Sequence, residues 1–508
     1  MANTVSSQPD QPEVSGAEQA NKSSSVAEKG RPPSSSSDTA TAPATWRVDL
    51  LKVIPGLKWL VKRRWFQFAV VLPNVLFFHL FLIAGLFGSP VGNRNIIVVF
   101  VWIFWWFFLI SILVPFFSRS WCTVCPFPFF GEWFQRRALI GVRMGKPGVG
   151  RNRMWGLNKR WPKALSNIWL QNFGFLAMCT FSVALVTRPI ASVIALGGLV
   201  LLGTVLHFIY RQRAFCDYVC PVSGFLSLYS MTSMIEVRSK DADVCTKCKD
   251  KSCLAGNEQG YGCPWMMYPS KMDRNNYCGF CMECMKTCSH DNMTVRARPF
   301  CSDTRIRGYD EAWKAFIMIT LALAYSTTLL GPWGTIKDWA NPSESGLWGH
   351  FAIYACSLWL LALVVLPGLF YCAVRIGKWL CGKPEAKMRE LFLGFSYVFV
   401  PLGLLAWIAF SVPLMFVNGS YIISVISDPM GWGWDLFGTA HFPWTPFYPE
   451  VVAYIQVPLL LFGLYYALRT GYAFAKENFE GPAAVRVFAP VAVLVTAITC
   501  GFMRLYVG

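Results

Sequence analysis

Negative charge is scarce in this sequence. Its 28 Asp and Glu face 46 Lys and Arg, and charged residues of both signs make up only 15% of the 508 positions. A chain so poor in charge and 54% hydrophobic lacks the polar surface that a soluble protein of this length needs. Histidine is rarer still, at five residues: His79, His207, His290, His350 and His441. No Walker phosphate loop is present, nor a G-x-G-x-x-G after a strand pattern, which removes the common nucleotide-binding mechanisms. No apolar run carries a pair of carboxylates, which argues against an ion pump. The basic excess is spread over segments flanking apolar runs, which argues against a nucleic-acid partner.

What is abundant is apolar sequence in runs of about 20 residues, the length that crosses a bilayer core. Nine spans are predicted, at 66–88, 96–117, 169–187, 190–210, 313–331, 348–374, 391–417, 450–468 and 485–505. With the N-terminus in the cytoplasm, the outward loops carry only Arg94, Arg188 and Lys337, and the loop 418–449 has no Lys or Arg. The inward segments 118–168 and 211–311 carry ten and fourteen basic residues. This asymmetry satisfies the positive-inside rule and predicts a multi-pass protein of the cytoplasmic membrane, its C-terminus extracytoplasmic. Residues 1–46, rich in Ser, Ala, Pro, Gln and Glu, read as a disordered cytoplasmic tail without the basic-then-apolar order of a signal peptide. The predicted division is the tail, a membrane hairpin repeat over 47–221, a cytoplasmic insert over 222–310 and a five-span region over 311–508.

Cysteine is the other abundance. Eight of the 18 fall between Cys245 and Cys288, in two sets of four. The second set, Cys278, Cys281, Cys284 and Cys288, has the C-x2-C-x2-C-x3-C spacing of bacterial two-cluster ferredoxins, whose fourth cysteine serves the other cube. The spacing therefore predicts one [4Fe–4S] cluster on Cys245, Cys248, Cys253 and Cys288, and another on Cys278, Cys281, Cys284 and Cys263. Paired C-x2-C units also hold structural zinc, but a triplet such as Cys278/Cys281/Cys284 suits a cube better. The first run departs from the pattern, with C-x4-C and then nine residues before Cys263, and Ser289 rather than proline follows Cys288.

Two hairpins upstream end alike. The first exits through Arg119 and Trp121 to Cys122, Cys125 and Pro126; the second exits through Arg213 and Phe215 to Cys216, Cys220 and Pro221. The repetition predicts a pseudo-twofold unit with the four thiols near one another. They would hold a further cluster, act as redox dithiols or bind a metal; the plainer alternative is spectator thiols in buried turns.

Paired membrane hairpins ending in a cysteine pair and proline, followed by a two-cluster insert, resemble the membrane-bound polyferredoxins of the NapH, NosR and CcoG type. The resemblance covers about residues 66–300. It implies an α-helical polytopic membrane protein with a small cytoplasmic ferredoxin-like insert, whose [4Fe–4S] clusters exchange electrons with a membrane pathway, often for a respiratory enzyme or the maturation of a metalloenzyme. No large extracytoplasmic flavin-type domain and no C-terminal β-domain accompany it here, and five more spans follow the insert.

The expected function is electron transfer through two cytoplasmic clusters, between a soluble donor or partner subunit and a membrane acceptor. That acceptor would be quinone, a haem or an extracytoplasmic partner. Reductive maturation of a metalloenzyme is the alternative, and clusters that merely hold the insert folded are a third reading. Lys247, Lys249, Lys251, Lys271, Arg274 and Lys286 surround the cysteines and predict docking of an acidic electron-transfer protein. His79 and His207, inside predicted spans, are candidates for b-type haem ligation or quinone protonation, although an interhelical hydrogen-bonding role is the more ordinary use of such residues. The aromatic outward loop around Trp432, Trp434 and Trp444 reads as interfacial anchoring against membrane lipid.

Overall fold

The computed structural model describes residues 46–138, 141–142, 154–330, 334–382 and 385–507. The predicted tail, 1–46, thus lies outside the described residues except for Trp46. Helices dominate, and among the described residues eight are long and apolar enough to cross a membrane. In chain order these are α1 (Arg64–Phe87), α2 (Ile96–Phe117), α6 (Pro189–Ile209), α8 (Tyr309–Leu330), α9 (Trp348–Cys381), α10 (Met388–Asn418), α11 (Pro449–Asn478) and α12 (Pro482–Val507). Between α2 and α6 lie α3 (Phe129–Arg136), α4 (Trp169–Thr180) and α5 (Ser182–Thr187), and α7 (Pro221–Tyr229) follows α6.

The ninth expected span, 169–187, is the pair α4–α5, interrupted at Phe181. The Thr180 hydroxyl bonds back to the Leu176 carbonyl at 2.7 Å and receives Trp359 Nε1 at 3.0 Å, a side-chain pattern that bends helices. The broken segment still reaches both ends of the bundle. Gln171, in its first turn, donates to the carbonyls of Cys216 and Asp217 beyond α6. At its other end, Val186 and Thr187 carbonyls close on Gly92 in the α1–α2 turn, where a Cβ would stand 2.8 Å from the Thr187 oxygen.

That turn is fixed by one side chain. Asn95 caps α2 by accepting from Ile97 N–H and donates to the Ala84 carbonyl at 2.8 Å, tying the end of α1 to the start of α2. The loop around Met430 joins the same end, with Ser89 N–H on its carbonyl, and Arg188 pairs there with Glu344. The hairpin cysteines and the insert lie at the opposite end, past the C-termini of α2 and α6. At the centre, α10 is the most enclosed helix, and fully buried Trp407 donates to the Met318 carbonyl and packs on Trp106, Phe225 and Tyr325. The outward faces of the long helices expose Leu76, Phe77, Ile194, Leu201, Val364, Phe462 and Val493. Such a belt would be unfavourable in water and is satisfied in hydrocarbon, so the chain is a polytopic helical membrane protein.

The segment between α7 and α8 carries β2 (Ile235–Ser239) and β3 (Met293–Ala297), which pair antiparallel with Val237 opposite Val295. The strands bracket both cysteine runs, and Val237, Val295, Phe280, Met285 and Met293 form a small core beneath them. A third strand, β1 (Val48–Asp49), pairs with the free edge of β3, giving the order β1–β3–β2. The chain before α1, which the sequence division groups with the membrane hairpins, therefore packs on the insert as well as on the start of α1. Lys58 and Lys62 reinforce this by pairing with Asp291 at 2.6 and 2.7 Å.

Candidate redox site

The eight cysteines of the insert sort into two neighbourhoods. Burial first, then the Cys288, Cys245 and Cys248 thiols around it, push the Cys253 thiol up to about 12. Burial, then crowding by Cys281 and Cys278, pushes Cys263 well above the usual thiol range, and Cys284 is raised by burial and by Cys281, Cys278 and Cys263. The two sets are thus Cys245, Cys248, Cys253 and Cys288, and Cys263, Cys278, Cys281 and Cys284: each run sends one thiol to the other. Cys253 also lies within electrostatic reach of Cys284, so the sets adjoin.

Cys263, Cys278, Cys281 and Cys284 line one apolar pocket of about 370 Å3, its mouth included, walled by Val237, Trp265, Met272 and Phe280. Among the described residues no three His, Cys, Asp or Glu side chains converge closely enough to hold a single metal ion. Zinc requires its sulfurs about 2.3 Å from one point, whereas these four thiols lie along the walls of the pocket. In the other set, Asn292 donates from its backbone N–H to Cys288 Sγ and from Nδ2 to Cys245 Sγ, both at 3.3 Å. Its thiols are half-buried, and Lys247, Lys249 and Lys251 beside them are exposed. Arg274 and Lys286, expected on that docking surface, are buried: Arg274 pairs with Glu311 at 2.9 Å and Lys286 with Glu283 at 3.1 Å.

The hairpin cysteines also meet. Cys125 is raised by burial and then by the Cys220 and Cys122 thiols, and Cys216 neighbours Cys220, Cys125 and Cys122. The repeat arginines, each three residues before the first cysteine of its pair, cross between the halves. Arg213 donates to the Cys122 carbonyl, and Arg119 donates to Ser223 Oγ at 2.6 Å, just past Cys220. Both guanidinium groups lie over the buried Trp265 ring, at 4.4 Å for Arg119 and 5.7 Å for Arg213. Trp265 also lines the second pocket, where Gly279 permits its approach: a Cβ there would be 2.1 Å from the indole nitrogen. Thr123 Oγ1 donates to the Gly279 carbonyl at 2.6 Å, completing the contact between the hairpin cysteines and the insert. Sequence reasoning passed over Trp265, and its only signal was its place two residues after Cys263.

Glu132 of α3 pairs with Arg213 and with Arg136. Burial raises its carboxyl, but Arg136 and Arg213 outweigh it and hold it at about 2, against an ordinary 4.5. A depressed folded-state value means that the ion pair's stabilisation is full above about pH 4.5 and is lost as pH falls toward 2. Thermal unfolding of wild type and Glu132→Gln is expected to differ by a constant amount above pH 5 and to converge on acidification. A difference that stays constant down to pH 3 would rule the pairing out.

His79 and His207 each use Nδ1 to contact the carbonyl one turn back, Val75 and Gly203, both at 2.7 Å. Phe130 packs edge-on to His79 and Gly131 packs under His207, so adjacent residues of α3 touch both rings. His207 Nε2 is buried without a hydrogen-bond partner.

Compared with known protein families, curated proteins and solved structures, the chain matches none.

Proposed function

We propose that this chain is a membrane electron-transfer protein that takes electrons from an acidic soluble protein and delivers them toward the membrane interior. The observation that carries this reading is the sorting of the eight insert cysteines into two adjoining sets that exchange one thiol between the runs. Each set fits a [4Fe–4S] group, with Cys245, Cys248, Cys253 and Cys288 as ligands of one and Cys278, Cys281, Cys284 and Cys263 of the other. Such groups supply one-electron exchange over about −700 to +450 mV.

The chain's own residues do the rest. The first set is half-buried beside exposed Lys247, Lys249 and Lys251, the second is half-buried except for buried Cys281, and Cys122, Cys216 and Cys220 are buried at the ends of the hairpins. The exposed lysines attract and orient an acidic ferredoxin- or flavodoxin-like donor. Trp265, held between Arg119 and Arg213, keeps the second set against the hairpin cysteines. The basic end of the bundle carries the insert, which supports a cytoplasmic insert in a cytoplasmic membrane. His79 and His207 lie along α3 at that end and are the candidates to meet a quinone.

Low-temperature EPR of anaerobically purified protein, titrated with dithionite, tests the reading. Two interacting S = 1/2 signals are expected; stoichiometric zinc with no iron would sink it. Reduction by an acidic donor protein is expected to slow about tenfold or more when Lys247, Lys249 and Lys251 become Glu, and to slow with added salt. Salt-insensitive reduction would remove the docking surface.

A further inference from the structure

The insert's two sets leave unexplained the charge around Cys122, Cys125, Cys216 and Cys220. Three cations are buried there: Arg119 at 2% exposure, Arg213 at 3% and Lys314 at 0%. Arg119 and Lys314 lie within electrostatic reach of Cys220, and Arg213 within reach of Cys216 and Cys125. Among the described residues only Arg213 of the three pairs with a carboxylate, Glu132. Arg119 meets a backbone carbonyl, a serine hydroxyl and the Trp265 face, and its Nε has no partner. Lys314 Nζ has the Gln171 carbonyl at 3.4 Å and the Phe175 ring at 4.7 Å. Among the described residues, two buried basic groups, Arg119 and Lys314, thus stand without a carboxylate beside four crowded thiols.

An unpaired buried charge is strongly unfavourable, and a fold keeps one where an anion joins it. The thiols decide which anion. As thiols or disulfides they are neutral and leave both cations uncompensated. Four thiolates around one zinc ion would supply the charge, but no such point of convergence exists among the described residues. Four thiolates around an iron–sulfur cube carry a net charge of about −2 when oxidised, matching the two unpaired cations, and need the wider spacing.

We propose that Cys122, Cys125, Cys216 and Cys220 hold a third, anionic iron–sulfur centre at the membrane face, its charge offset by Arg119 and Lys314. The reciprocal bonds of the repeat arginines tie the two cysteine-bearing turns to each other, as a shared centre requires. This deepens the functional reading above and rests on it only for the direction of electron flow.

The test uses the full chain, purified anaerobically in detergent, with iron, acid-labile sulfide and zinc counted per chain. Cys122→Ser/Cys216→Ser is expected to lose about a third of the iron and sulfide while keeping both insert signals. Wild type with iron for two cubes only, unchanged in that variant, would overturn the proposal, as would loss of one zinc per chain. Cys248→Ser/Cys281→Ser reads the insert separately: retained insert iron there, with iron lost in the hairpin variant, would fault the insert reading and not this one. Lys314→Met, which keeps an apolar stem in place, is expected to retain all iron and to lower the midpoint potential of the third signal alone. An unmoved potential would remove Lys314 from the charge balance.

Discussion

Cys263→Ser is expected to abolish the same EPR signal as Cys278→Ser, and Cys288→Ser the same signal as Cys245→Ser. Each variant should lose about four irons of the insert's eight. The effect is large because a cube with three thiolates exposes an iron corner, and it is diagnostic because Cys263 neighbours Cys253 in the backbone. The Cys263 N–H bonds the Cys253 carbonyl at 2.8 Å, yet its thiol lines the pocket of Cys278, Cys281 and Cys284. If Cys263→Ser and Cys253→Ser erased one common signal, the two runs would each hold their own centre and the exchange of thiols would be wrong.

Asp303→Ala is expected to cost about 3–5 kcal/mol, the penalty for removing one partner of a buried ion pair. Arg298 is fully buried, paired with Asp303 at 2.5 Å and with Glu236 at 3.3 Å, and Asp303 also receives the Asn275 N–H at 2.8 Å. Those contacts fasten the insert's strands to the segment that enters α8. Asp291→Asn, which touches only the half-exposed Lys58, Lys62 and Lys240, should cost no more than about 1 kcal/mol. Thermal unfolding in detergent compares the two. Equal losses would mean that Arg298 finds another anion or water, and replacing Arg298 and Asp303 together by Met and Leu should recover part of the larger loss.

Much of this was legible in the chain because it rests on local pattern. Apolar runs located the eight long helices to within about four residues, except that α9 and α11 run seven and ten residues past their predicted ends, and the Arg-x-aromatic-Cys exits announced that Cys122 and Cys216 would meet. The spacing of the insert cysteines anticipated the two sets now seen as neighbours. The rest depends on contacts remote in sequence. The break at Phe181 has no glycine or proline to mark it and follows from Thr180 and its Trp359 partner. Lys314, one basic residue near the start of an apolar run, carries no pattern that marks it, yet it is completely buried. Arg274 and Lys286 look like surface charge until Glu311 and Glu283 are seen beside them.

The strand β1 couples translation to topology. It leaves the ribosome before any membrane helix, whereas its partner β3 is made only after α1, α2, the α4–α5 pair and α6. Asp49 therefore waits for Arg296 through the insertion of the first hairpins, while α8 to α12 are still to be made. A nascent chain in which α6 entered the wrong way round would deliver β3 to the opposite compartment, with a bare edge and no β1 to cover it. Pairing of β1 with β3 is thus open only to chains whose first helices leave both strands on the same side of the membrane.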